Sequence, residues 1–304
     1  MEQLKKLFPR LKQVLMRGIN IFQNNSMMIY SGNATLFIVT AMPPFIMLII
    51  SIVNLLPGYT TNDVTTVLFQ MLPDLEPIKE LVVSLIMNIK QQSGGILASV
   101  AAITTLWSAS NGVDAIQKGL DQLDQDQAKS TAEGKKTNIK KTGKILIMSV
   151  LKRLIFTLIV VILIPAMLVF EMLGDSIAAT ICNTIKKMGP EGLDETMSAI
   201  DSFFHISSLV VIGFAVLVIV LMYAVLPLKK RSFRSQLPGA LFAGICWLVF
   251  TKLFSFFIPR FYHASSLYGS LASIFMIFIW LRFVVMILFV GGVLNHALEE
   301  TKST

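Results

Sequence analysis

The stretch GSLASIFMIFIWLRFVVMILFVGGVLN, residues 269–295, decides the fold. From Gly269 to Leu294 it is apolar with hardly a break, long enough for one helix to span a hydrocarbon core of about 30 Å. A single charge interrupts it. Arg282 stands about as far from Gly269 as from Leu294, which puts its Cα near the bilayer midplane. A guanidinium there costs roughly 2.5–3.5 kcal/mol on insertion scales. From that depth it reaches neither surface easily, so it must face protein, water or a bound anion. The rest of the chain has to supply that environment.

Composition agrees with a membrane chain. Hydrophobic residues make up 54% and charged residues only 14%, where a soluble domain carries about 25% charged residues. Mean hydropathy is +0.71. These values predict an all-α, polytopic membrane bundle of one domain. The net charge of +8 would suggest nucleic acid in a soluble protein; here the excess of Lys and Arg in loops on one side of a membrane accounts for it. Cys182 falls in an expected loop and Cys246 in an expected helix, so no disulfide framework is read from them. The basic N-terminus is not followed promptly by a short apolar core and a small-residue cleavage site, so no cleavable signal peptide is expected.

Six spans are expected, at about 32–56, 94–113, 145–171, 204–226, 237–258 and 269–294. They form a transmembrane domain over 31–298, between an amphipathic N-terminal segment (1–30) and a short tail (299–304). In that first segment Leu4, Leu7, Phe8, Leu11, Val14, Leu15 and Ile19 recur at helical spacing beside five basic residues, the pattern of a helix lying on an anionic lipid surface. The first span contains Pro43 and Pro44. Two successive prolines remove the donors that would bond the carbonyls of Val39 and Thr40, so a kink or break is expected, with those carbonyls turned to the bundle or a cavity. Ile78, Leu81, Val82, Leu85, Ile86 and Ile89 predict an amphipathic helix capping the outer surface. The second span is rich in Gly, Ala, Ser and Thr and belongs inside the bundle, where small residues let helices approach. Residues 121–144 read as a polar linker and 172–203 as an acidic outer loop.

Charge sets the orientation. Nineteen of the 26 Lys and Arg fall on the N-terminal segment, the 114–144 region, the foot of the third span, the 229–234 turn and the tail, which predicts both termini in the cytoplasm. The basic linker has no interleaved aromatics to stack on bases, so nucleic acid is not an expected partner.

The chemistry-bearing residues are few. His205, His263 and His296 share no short motif with one another or with Cys, and no nucleotide-binding, hydrolase or metal-ligand pattern is present. No catalytic residue, metal or cofactor is therefore expected. Two buried cations remain. Lys252 lies about six residues from the outer end of its helix, within snorkelling reach of the surface. Arg282 has no such escape, and Asp114 and Glu171 lie at the edges rather than at its depth. Either polar groups such as Asn33, Thr35, Thr40 and the freed carbonyls satisfy it, or an anionic ligand does. Arg282, Lys252, Asn33 and Thr40 are the candidate binding residues, with Pro43 and Pro44 as the structural kink. Phe275, Phe278, Ile279, Val285, Met286 and Phe289 share the helical face of Arg282 and would line the same interior.

LPGALFAGICWLVFTKLFSFFIPRF (237–261), SLYGSLASIFMIFIWL (266–281), GGVLN (291–295), LWSASNGVDAIQKGL (106–120) and, more loosely, ATLFIVTAMPPFIML (34–48) resemble the YihY/BrkB family of bacterial inner-membrane proteins, once described as ribonuclease BN. The resemblance covers nearly the whole chain and implies a six-helix integral membrane protein of the inner membrane. For such a protein, transport or handling of a lipid or other amphiphilic envelope component is expected, with membrane lipids, anionic ones included, as partners. The alternative is a non-transporting scaffold or envelope-assembly partner. The absence of a metal-ligand motif disfavours the ribonuclease reading. Three positions depart from the family: Val293 stands where many relatives are acidic, Leu228 follows Pro227 where many carry Asn, and Arg282 stands where an aromatic is more usual; Lys252 falls on a position that is often Lys in the family.

Overall fold

Within hydrocarbon a backbone can bond only to itself, so each long apolar run becomes a helix. The computed structural model describes residues 27–53, 72–91, 95–131, 147–167, 212–229, 231–261 and 269–303, with single positions at 20, 65, 68 and 69. Seven helices are built from them: α1 (Met27–Val53), α2 (Glu76–Gln91), α3 (Gly95–Thr131), α4 (Ile147–Met167), α5 (Ile212–Val225), α6 (Phe233–Phe261) and α7 (Gly269–Ser303). Among the described residues, α1, α4, α6 and α7 are long and apolar enough to cross a membrane, and α5 is a shorter apolar helix. The fold is an all-α, multi-pass bundle. Most of the N-terminal segment, the acidic segment 172–203 with Cys182, and His205 and His263 lie outside the described residues.

Helix α7 is the centre of the bundle. Of its apolar stretch 44% is buried, against 17% for α4 and for α6, and it packs on α1, α2, α3 and α6. Helix α1 makes its most extensive contact with α3. The small residues of α3 permit it: Ala101, Thr105, Ser110 and Gly112 are buried, and Gly112 faces Ala34, Phe37 and Ile38 of α1. The other side of α3 shows Ile103 and Trp107 to the surroundings. Helix α2 presents Ile78, Val82 and Ile86 inward; Val82 and Ile86 pack with Ile46, Ile49, Ile50 and Val53 of α1, and Ile78 joins Trp280 and Ile277 of α7.

One expectation needs correction and another is narrowed. Residues 121–131, read as the start of the polar linker, continue α3, one helix of 37 residues; Ala115, Ile116, Leu120 and Leu123 keep an apolar face in the core although the rest of the surface turns polar. Of the kink or break expected at Pro43 and Pro44, the break is absent: α1 runs through both. Helix α7 runs on through the tail to Ser303.

At one end the bundle gathers Lys118, Lys152, Arg153, Arg231 and Arg234, and we call this the basic end. There α6 and α7 cross backbone to backbone. A Cβ on Gly239 would stand 2.1 Å from the Gly291 carbonyl oxygen, so no other residue fits this crossing. Pro238, one residue earlier, has no N–H to give the helix. Asn295 of α7 clasps the turn around it: its Oδ1 accepts from the Gly239 N–H at 2.7 Å and its Nδ2 donates to the Gln236 carbonyl at 2.9 Å. Gln236 Nε2 donates to Glu299 Oε1 at 2.8 Å, and the Tyr223 hydroxyl of α5 donates to the Leu288 carbonyl. The PGAL and GGVLN stretches are thus the two halves of one clasp.

Candidate functional site

Arg282 lies on the border of two stripes of α7. On one side Val285 and Phe289 are buried; on the other Phe275, Ile279 and Phe283 are exposed. Phe278 and Met286 are partly buried, as is Arg282 itself. The sequence expectation that this whole face turns inward therefore holds for half of it. The guanidinium is laid against α1: a Cβ on Gly32 would stand 2.8 Å from Nη1 and 3.7 Å from Cζ. A side chain at this position would push the guanidinium from the place it now holds. No hydrogen bond or ion pair joins Arg282 to any of the described residues.

The depth of the charged head follows from neighbouring contacts. Gly119 of α3 is flanked by the Phe289 ring and by Tyr30, so Phe289 and Tyr30 share a level. Arg282 is seven residues from Phe289, about 10 Å along the helix, whereas Gly32 is two residues past Tyr30, about 3 Å. To touch Gly32 the side chain runs several ångströms toward the basic end. Its Cα has the mid-run position read from sequence, and its head does not.

The other candidate residues are not gathered here. Asn33 follows Gly32 and is exposed beside it. Thr40 is two turns further along, exposed, with its hydroxyl donating to the Phe37 carbonyl at 2.9 Å. Pro43 and Pro44 are a further turn away. Lys252 is exposed on the outward stripe of α6 with Val249, Leu253 and Phe256. The Trp280 indole N–H donates to the Thr251 hydroxyl at 3.2 Å, and Phe250 meets Phe283 with ring centroids 5.3 Å apart. Lys252 therefore leaves its helix near the level of Ile279, on a face that does not meet Arg282. Thr35 is fully buried and donates to the Ser31 carbonyl.

Sequence reading missed two things. Gly32 carried no signal beyond a small residue in Ser31-Gly32-Asn33. The pairing of Asp114 was also missed, although both partners had been placed at the same membrane face. Asp114 accepts from Arg153 Nη1 at 2.5 Å and from Lys118 Nζ at 2.7 Å. One and two turns on, Gln117 is buried and Asp121 accepts the Leu228 N–H at 2.7 Å, while Lys152 donates to the Pro227 carbonyl at 2.9 Å. This row ties α3, α4 and the turn after α5 together. The charge of Asp114 is answered by Arg153 and Lys118; that of Arg282 finds no partner among the described residues. His296 is buried in the core of the basic end.

The family model described as Virulence factor BrkB matches residues 19–304. Among curated proteins, the chain is 28% identical over 277 residues to the ribonuclease-like protein YfkH of Bacillus subtilis, covering 90% of each chain. It is 34% identical over 107 residues to a UPF0761 membrane protein of Idiomarina loihiensis, covering 35% of this chain and 37% of that one. A UPF0761 membrane protein of Psychromonas ingrahamii is 35% identical over 78 residues, 26% of this chain and 27% of that one. No solved structure matches.

Proposed function

Because the chain belongs to the Virulence factor BrkB family of membrane proteins, we propose that it handles an anionic amphiphile within the bacterial inner membrane, crossing it six times with both termini in the cytoplasm. One observation carries the reading. Arg282 holds a guanidinium inside the apolar bundle, partly buried, with no carboxylate or carbonyl among the described residues bonded to it. Ionisable groups at such depth are paired or serve a substrate. At the clasp, by contrast, Asn295 bonds a backbone N–H and a carbonyl, and the Asp114 carboxylate pairs with Arg153 and Lys118. The ribonuclease-like name of the Bacillus subtilis relative gains no support from the placement of these residues.

Passage is tested in vesicles of phosphatidylcholine carrying the reconstituted protein and a trace of fluorescent phosphatidylglycerol, with and without a proton gradient. Exchange between leaflets faster than in protein-free vesicles is the expected result. Rates no faster than in protein-free vesicles, with and without the gradient, would end the transport reading and favour the scaffold. For topology, single cysteines in 229–234 should label only from the cytoplasm; labelling of position 231 from outside would break the six-span arrangement.

A further inference from the structure

We propose that Arg282 and Gly32 form a headgroup site for a phosphate-bearing lipid, entered sideways from the bilayer between α1 and α7. The inference deepens the reading above and rests on it. Its starting point is the geometry of the guanidinium. Lying on the bare backbone of Gly32, it keeps a planar edge of N–H donors unused by the described residues. A phosphate accepts two parallel hydrogen bonds from that edge, which a lone ammonium does not match.

The surroundings say that the phosphate arrives on a lipid. Helix α1 exposes Ile29, Asn33 and Leu36 around Gly32, and α7 exposes Phe275, Ile279 and Phe283 along the stripe bordering Arg282. Ile29 is 71% exposed and Phe275 63%. Acyl chains lie against such residues without cost, whereas a free inorganic anion would have to cross them. The one polar side chain on this rim, Asn33, adds an amide beside the phosphate position. The narrow apolar crevice between Leu120, Tyr223 and Phe289 leaves no room for water and does not include Arg282.

The shape of the floor supplies a specific test. Gly32→Val keeps the charge of Arg282 but puts a branched side chain where Nη1 now lies, and displaces the fork. The purified full-length chain is titrated with phosphatidylglycerol, with diacylglycerol of the same acyl chains and with inorganic phosphate, and native mass spectrometry reads the bound fraction. The wild type should retain phosphatidylglycerol and not diacylglycerol. Arg282→Leu should lose it, Arg282→Lys should weaken it about tenfold since the charge stays and the fork goes, and Gly32→Val should lose it with Arg282 intact. Each variant is first shown to elute and melt as a folded protein; if Gly32→Val does not, Gly32→Ala with its smaller displacement replaces it.

Unchanged retention in Arg282→Leu overturns the site. Displacement of the lipid by inorganic phosphate at equal concentration overturns the lipid assignment and leaves a free-anion site. The two proposals fail separately. Binding without leaflet exchange removes the transport reading and spares the site; exchange that survives Arg282→Leu removes the site and spares the transport reading.

Discussion

The Asn295 clasp and the Arg282–Gly32 contact are both places where α7 meets a glycine of another helix, and they treat polarity in opposite ways. At the clasp, Asn295 spends its oxygen on one backbone N–H and its nitrogen on one carbonyl, and the glycines let α6 and α7 touch. At Arg282 the glycine leaves room for a charged head that nothing among the described residues answers. A bonded polar group in a membrane interior stabilises the protein; an ionisable one without a partner among the described residues points to a ligand. The clasp should therefore be read out in stability and the arginine in ligand.

Substitutions can break this division. The largest effect is expected for Gly239→Ala, whose Cβ would press on a backbone oxygen of Gly291 that cannot rotate away; loss of the folded, monodisperse protein on size exclusion is the expected outcome. Asn295→Leu should come next. It removes two buried hydrogen bonds between α6 and α7, at about 0.5–1.5 kcal/mol each, and should lower the melting temperature clearly in a thermal-shift assay. Tyr223→Phe removes only the hydroxyl bonded to Leu288 and should cost about 1 kcal/mol. Arg282→Leu should change stability least, by under about 0.5 kcal/mol in either direction, in the range of substitutions that break no intramolecular partner. A loss as large as that of Asn295→Leu would show the guanidinium to be structural and erase the contrast.

Much of the fold was legible because the apolar runs are long. Helices α1, α4, α6 and α7 contain the runs that define them, and α2 follows its i, i+4 apolar face. The apolar face past Asp114 was legible in Ile116, Leu120 and Leu123, but the run of α3 on to Thr131 was hidden, since polarity rises there. Pro43 and Pro44 suggested a break, but missing donors do not end a helix that neighbouring helices hold on both sides. At the site, Arg282 was legible as an anomaly and Gly32 was not, because a glycine announces nothing about which distant side chain will need its space. The level of the guanidinium was misjudged for a related reason: sequence fixes where a Cα sits along a span, and a long side chain moves the charge by more than a helical turn. The unpaired look of Asp114 in sequence was the converse error, resolved by Arg153 from a helix 39 residues away.

The length of α7 has a mechanical consequence. Its 35 residues make a rod of about 52 Å at 1.5 Å per residue, and hydrocarbon about 30 Å thick covers little more than half of it. The apolar run begins at Gly269, so the excess stands at the basic end, with Asn295 and Glu299 in it. Thickening or thinning a bilayer changes helix tilt, but α6 and α7 are riveted to each other beyond the region whose thickness varies. They should lean together as one beam, while α1, which meets α7 higher up at Gly32, is left to slide against them as the membrane thickness changes.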